Sequence, residues 1–306
     1  MTRVQLFVNN YNRLAAFFAD WLSEDMRYVM STRLSDAATY SLMAGGKRLR
    51  PALVMATAEM LRVALENVRG FALAVEYIHT SSLIHDDLPA MDDDSMRRGQ
   101  PACHVKYGEA AAILTGDFLI ARAFQALAGD VLQQPDVCKK LVTLLSGAVV
   151  ALCEGQILDL DAAAASRVDD GGGGLGEESA LELRRRHLMK TGALIRACVV
   201  GPAEFLSGSK SEGVKYALSD YGNCLGLLFQ ITDDILDATS TTEVLGKSAK
   251  NDSKQGALTY VSLFGVDAAK KLAQETADQA LDALSLFGED AWFHRALCLK
   301  VLERDK

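Results

Sequence analysis

Proline is scarce in this 306-residue chain. There are five, at positions 51, 89, 101, 135 and 202. Runs of alternating β-branched and polar residues are also scarce, so a sheet protein is not indicated. The six cysteines (Cys103, Cys138, Cys153, Cys198, Cys224, Cys298) include no C-x-x-C pair. That spacing excludes a zinc ribbon and a compact disulfide framework, and points to free thiols in a reducing compartment. No stretch reaches about 18 uninterrupted apolar residues, so no membrane span is expected. The N-terminus has an early basic residue but no clean apolar core followed by a small-residue cleavage site. A cytoplasmic protein is the expectation. Positive charge is in deficit, at a net −8, which argues against a general nucleic-acid binder. It leaves room for anionic ligands held by a local cluster of Arg and Lys.

Alanine and leucine dominate, and apolar residues recur at three and four. Leu53, Val54, Ala56, Met60, Leu61, Phe71, Ala72, Ala74, Val75 and Ile78 show the rhythm over residues 52–84, and it returns at 110–128, 137–160, 180–200, 214–236 and 257–284. The pattern predicts an all-α protein, a bundle of long antiparallel helices, and the chain is large enough to bury a central cavity among them. Residues 166–178 hold a glycine-rich stretch, Asp169 to Gly176, read as a flexible connector. No strand precedes it and no G-K-[ST] follows, so it is not a phosphate loop. Chemically informative motifs lie on both sides of it. A single domain over 1–306 is therefore expected.

Acidic residues are concentrated in two places. Asp86-Asp87-Leu88-Pro89-Ala90-Met91-Asp92-Asp93-Asp94 closes an apolar helix, where carboxylates are electrostatically unfavourable without a compensating cation. Asp86 and Asp92 would point to different faces of an unbroken helix, but Pro89 interrupts it, and an irregular turn can return Asp92 beside Asp86. The second group is Asp233-Asp234-Ile235-Leu236-Asp237. Asp233 and Asp237 are four apart, share a helical face, and repel unless a cation sits between them. Closely spaced carboxylates suit Mg²⁺, which takes few protein ligands and completes its shell with phosphate oxygens and water. Basic groups alternate with the acids: Lys47, Arg48 and Arg50 between Gly45-Gly46 and Pro51, then Arg97-Arg98, Lys190 and Lys247. Two anionic ligands are implied, one gripped through metal and one by cations directly.

These segments resemble the trans-prenyl diphosphate synthase family, in its bacterial or plant-type farnesyl and geranylgeranyl diphosphate synthase branch. GGKRLRP, SLIHDDLPAMDDDSMRRGQP, LTGDFL, GQILDL, KTGALI and FQITDDILD occur in the family's order across roughly residues 40–265. The resemblance implies the isoprenoid synthase fold and a short-chain prenyltransferase, condensing isopentenyl diphosphate with an allylic diphosphate (dimethylallyl, geranyl or farnesyl) to give geranylgeranyl or farnesyl diphosphate. It implies three Mg²⁺ ions, with Mn²⁺ able to substitute, on Asp86, Asp92, Asp233 and Asp237, with Asp87 and Asp234 as weaker members. It assigns Arg97, Lys190 and Lys247 to the allylic diphosphate. Lys47, Arg50, His79 and Arg98 go to isopentenyl diphosphate. Lys190 (through its carbonyl), Thr191 and Gln230 would stabilise the cation. A homodimer is implied too. One departure stands out: Ala257 occupies a position where relatives often carry a lysine.

Ser81 and Ser82, five and four residues before Asp86, lie one turn deeper than the metals at about 1.5 Å of rise per residue. Farnesyl-making relatives often place a large aromatic there, so small side chains favour the longer product unless Phe118 or Met43 supplies a plug. Two rivals remain. A class I terpene cyclase would carry only one aspartate-rich motif and no GGKRLRP. A regulatory subunit of a hetero-oligomeric synthase would be expected to lose aspartates that are intact here. A di-iron bundle would need paired Glu-x-x-His motifs, which are absent.

Overall fold

A computed structural model describes residues 2–27, 32–130, 134–166, 177–209, 211–239 and 258–305. It is helical almost throughout. Its α-helices are α1 (Arg3–Arg27), α2 (Arg33–Met43), α3 (Leu49–Met60), α4 (Arg69–Asp86), α5 (Cys103–Tyr107), α6 (Glu109–Asp130), α7 (Pro135–Ser166), α8 (Glu177–His187), α9 (Ala193–Val200), α10 (Ser211–Thr239), α11 (Tyr260–Phe264), α12 (Val266–Ala283) and α13 (Trp292–Leu302). The prolines fall where a helix tolerates or ends at them. Pro51 and Pro135 occupy first turns, Pro202 starts a 3₁₀ turn, and Pro89 and Pro101 lie outside helices. Among the described residues the only sheet is a two-residue ribbon, β1 (Met96–Arg97) and β2 (Gln100–Pro101). Its turn residues Arg98 and Gly99 both have positive φ, 54° and 77°, as a tight hairpin turn requires.

The helices gather into two compact units. One comprises Met1–Ser146 and Cys198–Ser211; the other comprises Gly147–Ala197 and Glu212–Lys306. In the first, α3 is almost wholly buried and α4 buries Phe71, Leu73, Val75, Tyr77, Ile78 and Ile84. Burying each such side chain contributes about 1.5–3 kcal/mol. Helices α4 and α6 pack together extensively. Gly116 makes their close approach possible, since a Cβ there would lie 2.0 Å from His85 Nε2. In the second unit, α10 buries Leu218, Tyr221, Leu225, Leu228, Ile231 and Ile235 at helical spacing. The buried row on α12 is alanine, at 269, 273, 277 and 280, and small side chains there let the neighbouring α13 come close.

Three sequence expectations need adjustment. The rhythm over 52–84 is two helices, with a 3₁₀ turn at Leu65–Val68 between them. The segment 257–284 breaks at Gly265, where φ is 80°. The segment 180–200 contains a π-helical insertion, Leu188–Gly192. The glycine-rich stretch from Asp169 to Gly176 lies outside the described residues. Two described helices, Glu109–Gly129 and Pro135–Ala162, are long and apolar enough by composition to cross a membrane, although neither contains the uninterrupted run the sequence reading looked for. The first of them packs along α4, a helix that carries Glu76, His79, His85 and Asp86. That packed face accounts for part of its apolar character, while Ile113 and Leu114 stay exposed.

Candidate active site

Helix α4 delivers the first aspartate group. After Asp86 the chain does not continue helically. Leu88 N–H donates to His85 O (3.1 Å), Asp93 N–H to Leu88 O (3.1 Å), and Asp92 N–H to Asp86 O (2.8 Å). Asp93 takes φ 53°, the left-handed value that reverses the chain. The turn therefore brings the backbone of Asp92 back onto the last helical carbonyl, as the Pro89 interruption anticipates. Within it the carboxylates divide. Asp92 is exposed and Asp86 half-buried, whereas Asp87 is buried and committed to Arg97, whose Nε donates to its Oδ1 at 2.9 Å. Arg97 Nη2 also pairs with Asp87, and with Asp94 at 3.2 Å. Burial pushes the Asp87 carboxyl up against the pull of Arg97, and the Asp87 hydrogen bond raises the guanidinium in turn. Arg97, assigned by resemblance to the allylic diphosphate, is thus held by carboxylates here.

The loop before α3 and the ribbon build a basic cluster beside this turn. Gly45 and Gly46 have φ 89° and 117°, and Arg48 takes φ 50° before the helix starts. The glycine at 46 is required twice over: a Cβ would sit 2.5 Å from the Arg98 guanidinium carbon, in a backbone conformation that disfavours side chains. Arg98 Nη1 donates to Gly45 O, and Tyr11 donates its hydroxyl to Lys47 O. His79 lies among these cations. Burial first, then the fields of Arg50, Arg98, Arg48 and Arg97, push its pKa well below the ordinary value, so the ring is neutral at pH 7. Arg50 is lowered chiefly by burial, and its Nε is buried with no hydrogen-bond partner among the described residues. Lys47 is exposed. Three of the four residues assigned to isopentenyl diphosphate, Arg50, His79 and Arg98, therefore lie close enough to feel one another. The sequence reading missed Glu76, a carboxylate 1% exposed within the cluster, bound by Arg48 at 2.6 Å. Its three-residue spacing from His79 was the available signal.

In the second unit α10 carries the other aspartates. Asp233 and Asp237 are exposed. Asp233 Oδ1 lies 3.2 Å from Arg304 Nη1. Asp234 turns inward instead and accepts the Tyr260 N–H at 2.8 Å. Burial pushes its carboxyl up to about 6. Lys190 and Thr191 fall in the π-helical insertion, a geometry common at functional sites. Two glycines clamp that insertion: a Cβ on Gly155 would lie 2.5 Å from Lys190 N, and one on Gly226 would lie 2.5 Å from Gly192 Cα. Lys190 Nζ reaches Asp159 Oδ2 at 2.6 Å, and Arg186 Nε reaches the other oxygen at 2.9 Å. Asp159, inside GQILDL, is a second group the sequence reading did not single out. Gln230 lies beside His187, whose ring stacks on Tyr260 at 5.6 Å. Lys247 and Ala257 lie outside the described residues.

On α4, Ser81 is buried and Ser82 half-buried. Both hydroxyls bond back into the helix, to Ile78 O (2.9 Å) and His79 O (3.0 Å). Neither presents a free donor at that level. Tyr77 is fully buried and donates to Asp25 at 2.5 Å. Met43 is 46% exposed and Phe118 half-buried.

Among the described residues no three His, Cys, Asp or Glu side chains converge on a preformed cation position. The donors nonetheless fit Mg²⁺. Asp92, Asp233 and Asp237 are carboxylates facing solvent, and Asp86 is half-buried beside Asp92. Such hard oxygens suit an ion that keeps its waters and binds phosphate as its main ligand. Asp87 and Asp234, the weaker members, are spent on Arg97 and Tyr260.

The polyprenyl synthetase family matches residues 31–285. The farnesyl diphosphate synthase of Escherichia coli K12 is 41% identical over 286 residues, covering 90% of this chain and 91% of that protein. The geranylgeranyl diphosphate synthase of Cyanophora paradoxa is 40% identical, covering 89% and 88%. The crystal structure of a Helicobacter pylori geranyltransferase complexed with magnesium and isoprenyl diphosphate superposes with a TM-score of 0.74 at 29% identity, covering 99% of this chain and 96% of that one. With its all-helical architecture, its two aspartate groups and its basic loop, the chain belongs to the polyprenyl synthetase family and has the isoprenoid synthase fold.

Proposed function

We propose that the protein is a short-chain trans-prenyltransferase, joining isopentenyl diphosphate head-to-tail to an allylic diphosphate and releasing diphosphate. The observation that carries this reading is the pairing, within one unit, of an aspartate turn with a separate basic cluster. Asp86 and Asp92 present hard oxygens, while Arg50, His79 and Arg98 gather next to them without a metal-binding set of their own. One diphosphate is thereby held through metal and the other by cations alone.

Bound Mg²⁺, three ions with Mn²⁺ as a substitute, would neutralise the negative charge that develops on the departing diphosphate. The chain's own groups do the rest. Asp86, Asp92, Asp233 and Asp237 supply the anionic ligands. Arg97, Lys190 and Lys247 add positive charge at the allylic diphosphate, and Asp159 holds Lys190 in place until then. Lys47, Arg50 and Arg98 fix the isopentenyl diphosphate so that its double bond meets the allylic carbon. The Lys190 carbonyl, Thr191 and Gln230 turn oxygen dipoles toward the cation. The departing diphosphate accepts the proton lost in the final step, so no protein nucleophile is needed.

Geranylgeranyl diphosphate is the proposed product. Ser81 and Ser82 are small, and their hydroxyls are satisfied within α4. A homodimer in the cytoplasm is the proposed working state. Six free thiols and the exposed apolar residues Ile113, Leu114, Val150 and Ile157 on α6 and α7 support it. The regulatory-subunit alternative has no observation in its favour. The test is product analysis. Purified chain, Mg²⁺ and isopentenyl diphosphate are incubated with dimethylallyl, geranyl or farnesyl diphosphate, and prenyl products are resolved by length. A C20 product from every starter supports the reading. No product from any starter overturns it.

A further inference from the structure

In sequence, Lys47, Arg48 and Arg50 look like three equivalent cations. Structurally, Arg48 is set apart. Its side chain is 11% exposed, its Nη1 lies 2.6 Å from Glu76 Oε1, and its Nη2 donates to Leu42 O. Both of its terminal nitrogens are thus committed to protein acceptors. Glu76 is itself buried, and its negative field reaches both Arg50 and Arg98. Arg50 keeps a buried Nε without a partner among the described residues, and Arg98 is anchored only by one nitrogen to Gly45 O. A buried carboxylate among several cations takes the partner with the best geometry. The hydrogen bond that Arg48 Nη2 donates to Leu42 O and the left-handed backbone at φ 50° aim Arg48 at it.

We propose that Arg48 is a positioning residue that keeps the Glu76 carboxylate occupied, so that Arg50 and Arg98 stay available to a diphosphate held without metal. This rests on the reading of the basic cluster as the isopentenyl diphosphate site. Removing Arg48 leaves a buried carboxylate without its cation, and the nearest replacements are the two guanidiniums the substrate needs. Removing both partners leaves neither charge to compensate, and the cluster returns to its free state. The pair thus acts on the substrate through Arg50 and Arg98 rather than by touching it.

Three variants test this: Arg48→Gln, Arg48→Lys, and the double variant Arg48→Gln/Glu76→Gln. Steady-state kinetics are run against isopentenyl and geranyl diphosphate separately. Inorganic diphosphate is also titrated by calorimetry in EDTA, where only the metal-free site binds. Arg48→Gln should raise KM for isopentenyl diphosphate roughly tenfold or more, the scale of an uncompensated buried charge, with KM for geranyl diphosphate within about threefold. The double variant should fall back to within about threefold of the parent, because the two substitutions are coupled. Calorimetric affinities should follow the same order. Arg48→Lys keeps the charge but loses the fork, and should weaken isopentenyl diphosphate by about threefold. It stands in if Arg48→Gln does not fold. Equal losses for both substrates, a double variant no better than the single, or unchanged isopentenyl diphosphate binding in a folded Arg48 variant each overturn the inference. A parent chain that binds no inorganic diphosphate in EDTA removes the site reading and the inference with it. Normal binding by both parent and Arg48→Gln overturns the inference alone.

Discussion

Ser81 is the side chain proposed to limit how far a hydrocarbon tail can travel along α4. It is 3% exposed, its hydroxyl is tied to Ile78 O, and Tyr77 one turn below is fixed to Asp25. On the proposed reading, a larger group at this buried position takes space from the growing chain. Ser81→Phe should therefore shorten the main product by at least one five-carbon unit while retaining turnover. Separation of products by chain length checks this. An unchanged product distribution would show that the floor of the pocket lies elsewhere. At the same scale, the sequence made the oxygen donors visible but not their division of labour. Asp86 and Asp87 are neighbours of the same type, yet only burial and Arg97 tell them apart. Arg48 was equally opaque, because its partner Glu76 is 28 residues away.

At the scale of elements, apolar periodicity revealed the long helices, since each must bury one face. Pro89 foretold the turn that returns Asp92 to Asp86. The π-helical insertion at Leu188–Gly192 had no local signal, because it depends on glycines from two other segments, Gly155 and Gly226. That dependence is testable. A Cβ on Gly226 meets the Gly192 backbone at 2.5 Å, so the helix must move rather than a side chain. Gly226→Ala should lower stability by about 1–3 kcal/mol, as overpacking does, and lower kcat more than tenfold by displacing Lys190 and Thr191. Denaturant melts and kinetics on the same preparation separate the two effects. A second element-scale prediction concerns acid. His294 on α13 is buried edge-on against Tyr221, and burial pushes its pKa down to about 3. The depressed imidazole binds fewer protons folded than unfolded. Stability is complete above the ordinary value near 6.5 and falls as pH drops below it, at up to ~1.4 kcal/mol per pH unit. His187, pushed down to about 4, and His79 act in the same direction. His294→Gln should therefore make the decline of Tm between pH 6.5 and 5 shallower, with Asp234, pushed up to about 6, opposing the histidines in that window. An identical decline in the variant would contradict the assignment.

At the scale of the whole molecule, the two aspartate groups belong to different compact units, one ending α4 and the other on α10. The proposed chemistry requires them to serve the same allylic diphosphate. A basic cluster alone binds an anion, and one aspartate pair alone binds a cation weakly; prenyl transfer needs both groups engaged in a single event. The most direct measurement is a double-mutant cycle on kcat with Asp86→Asn, Asp233→Asn and the combined variant, at saturating Mg²⁺ and both substrates. Each single substitution is predicted to cost about 10³-fold or more, and the combined variant to lose far less than the product of the two, because residues acting as one unit are strongly non-additive. Losses that multiply as if independent, or either single variant retaining the parent's turnover, would contradict the account.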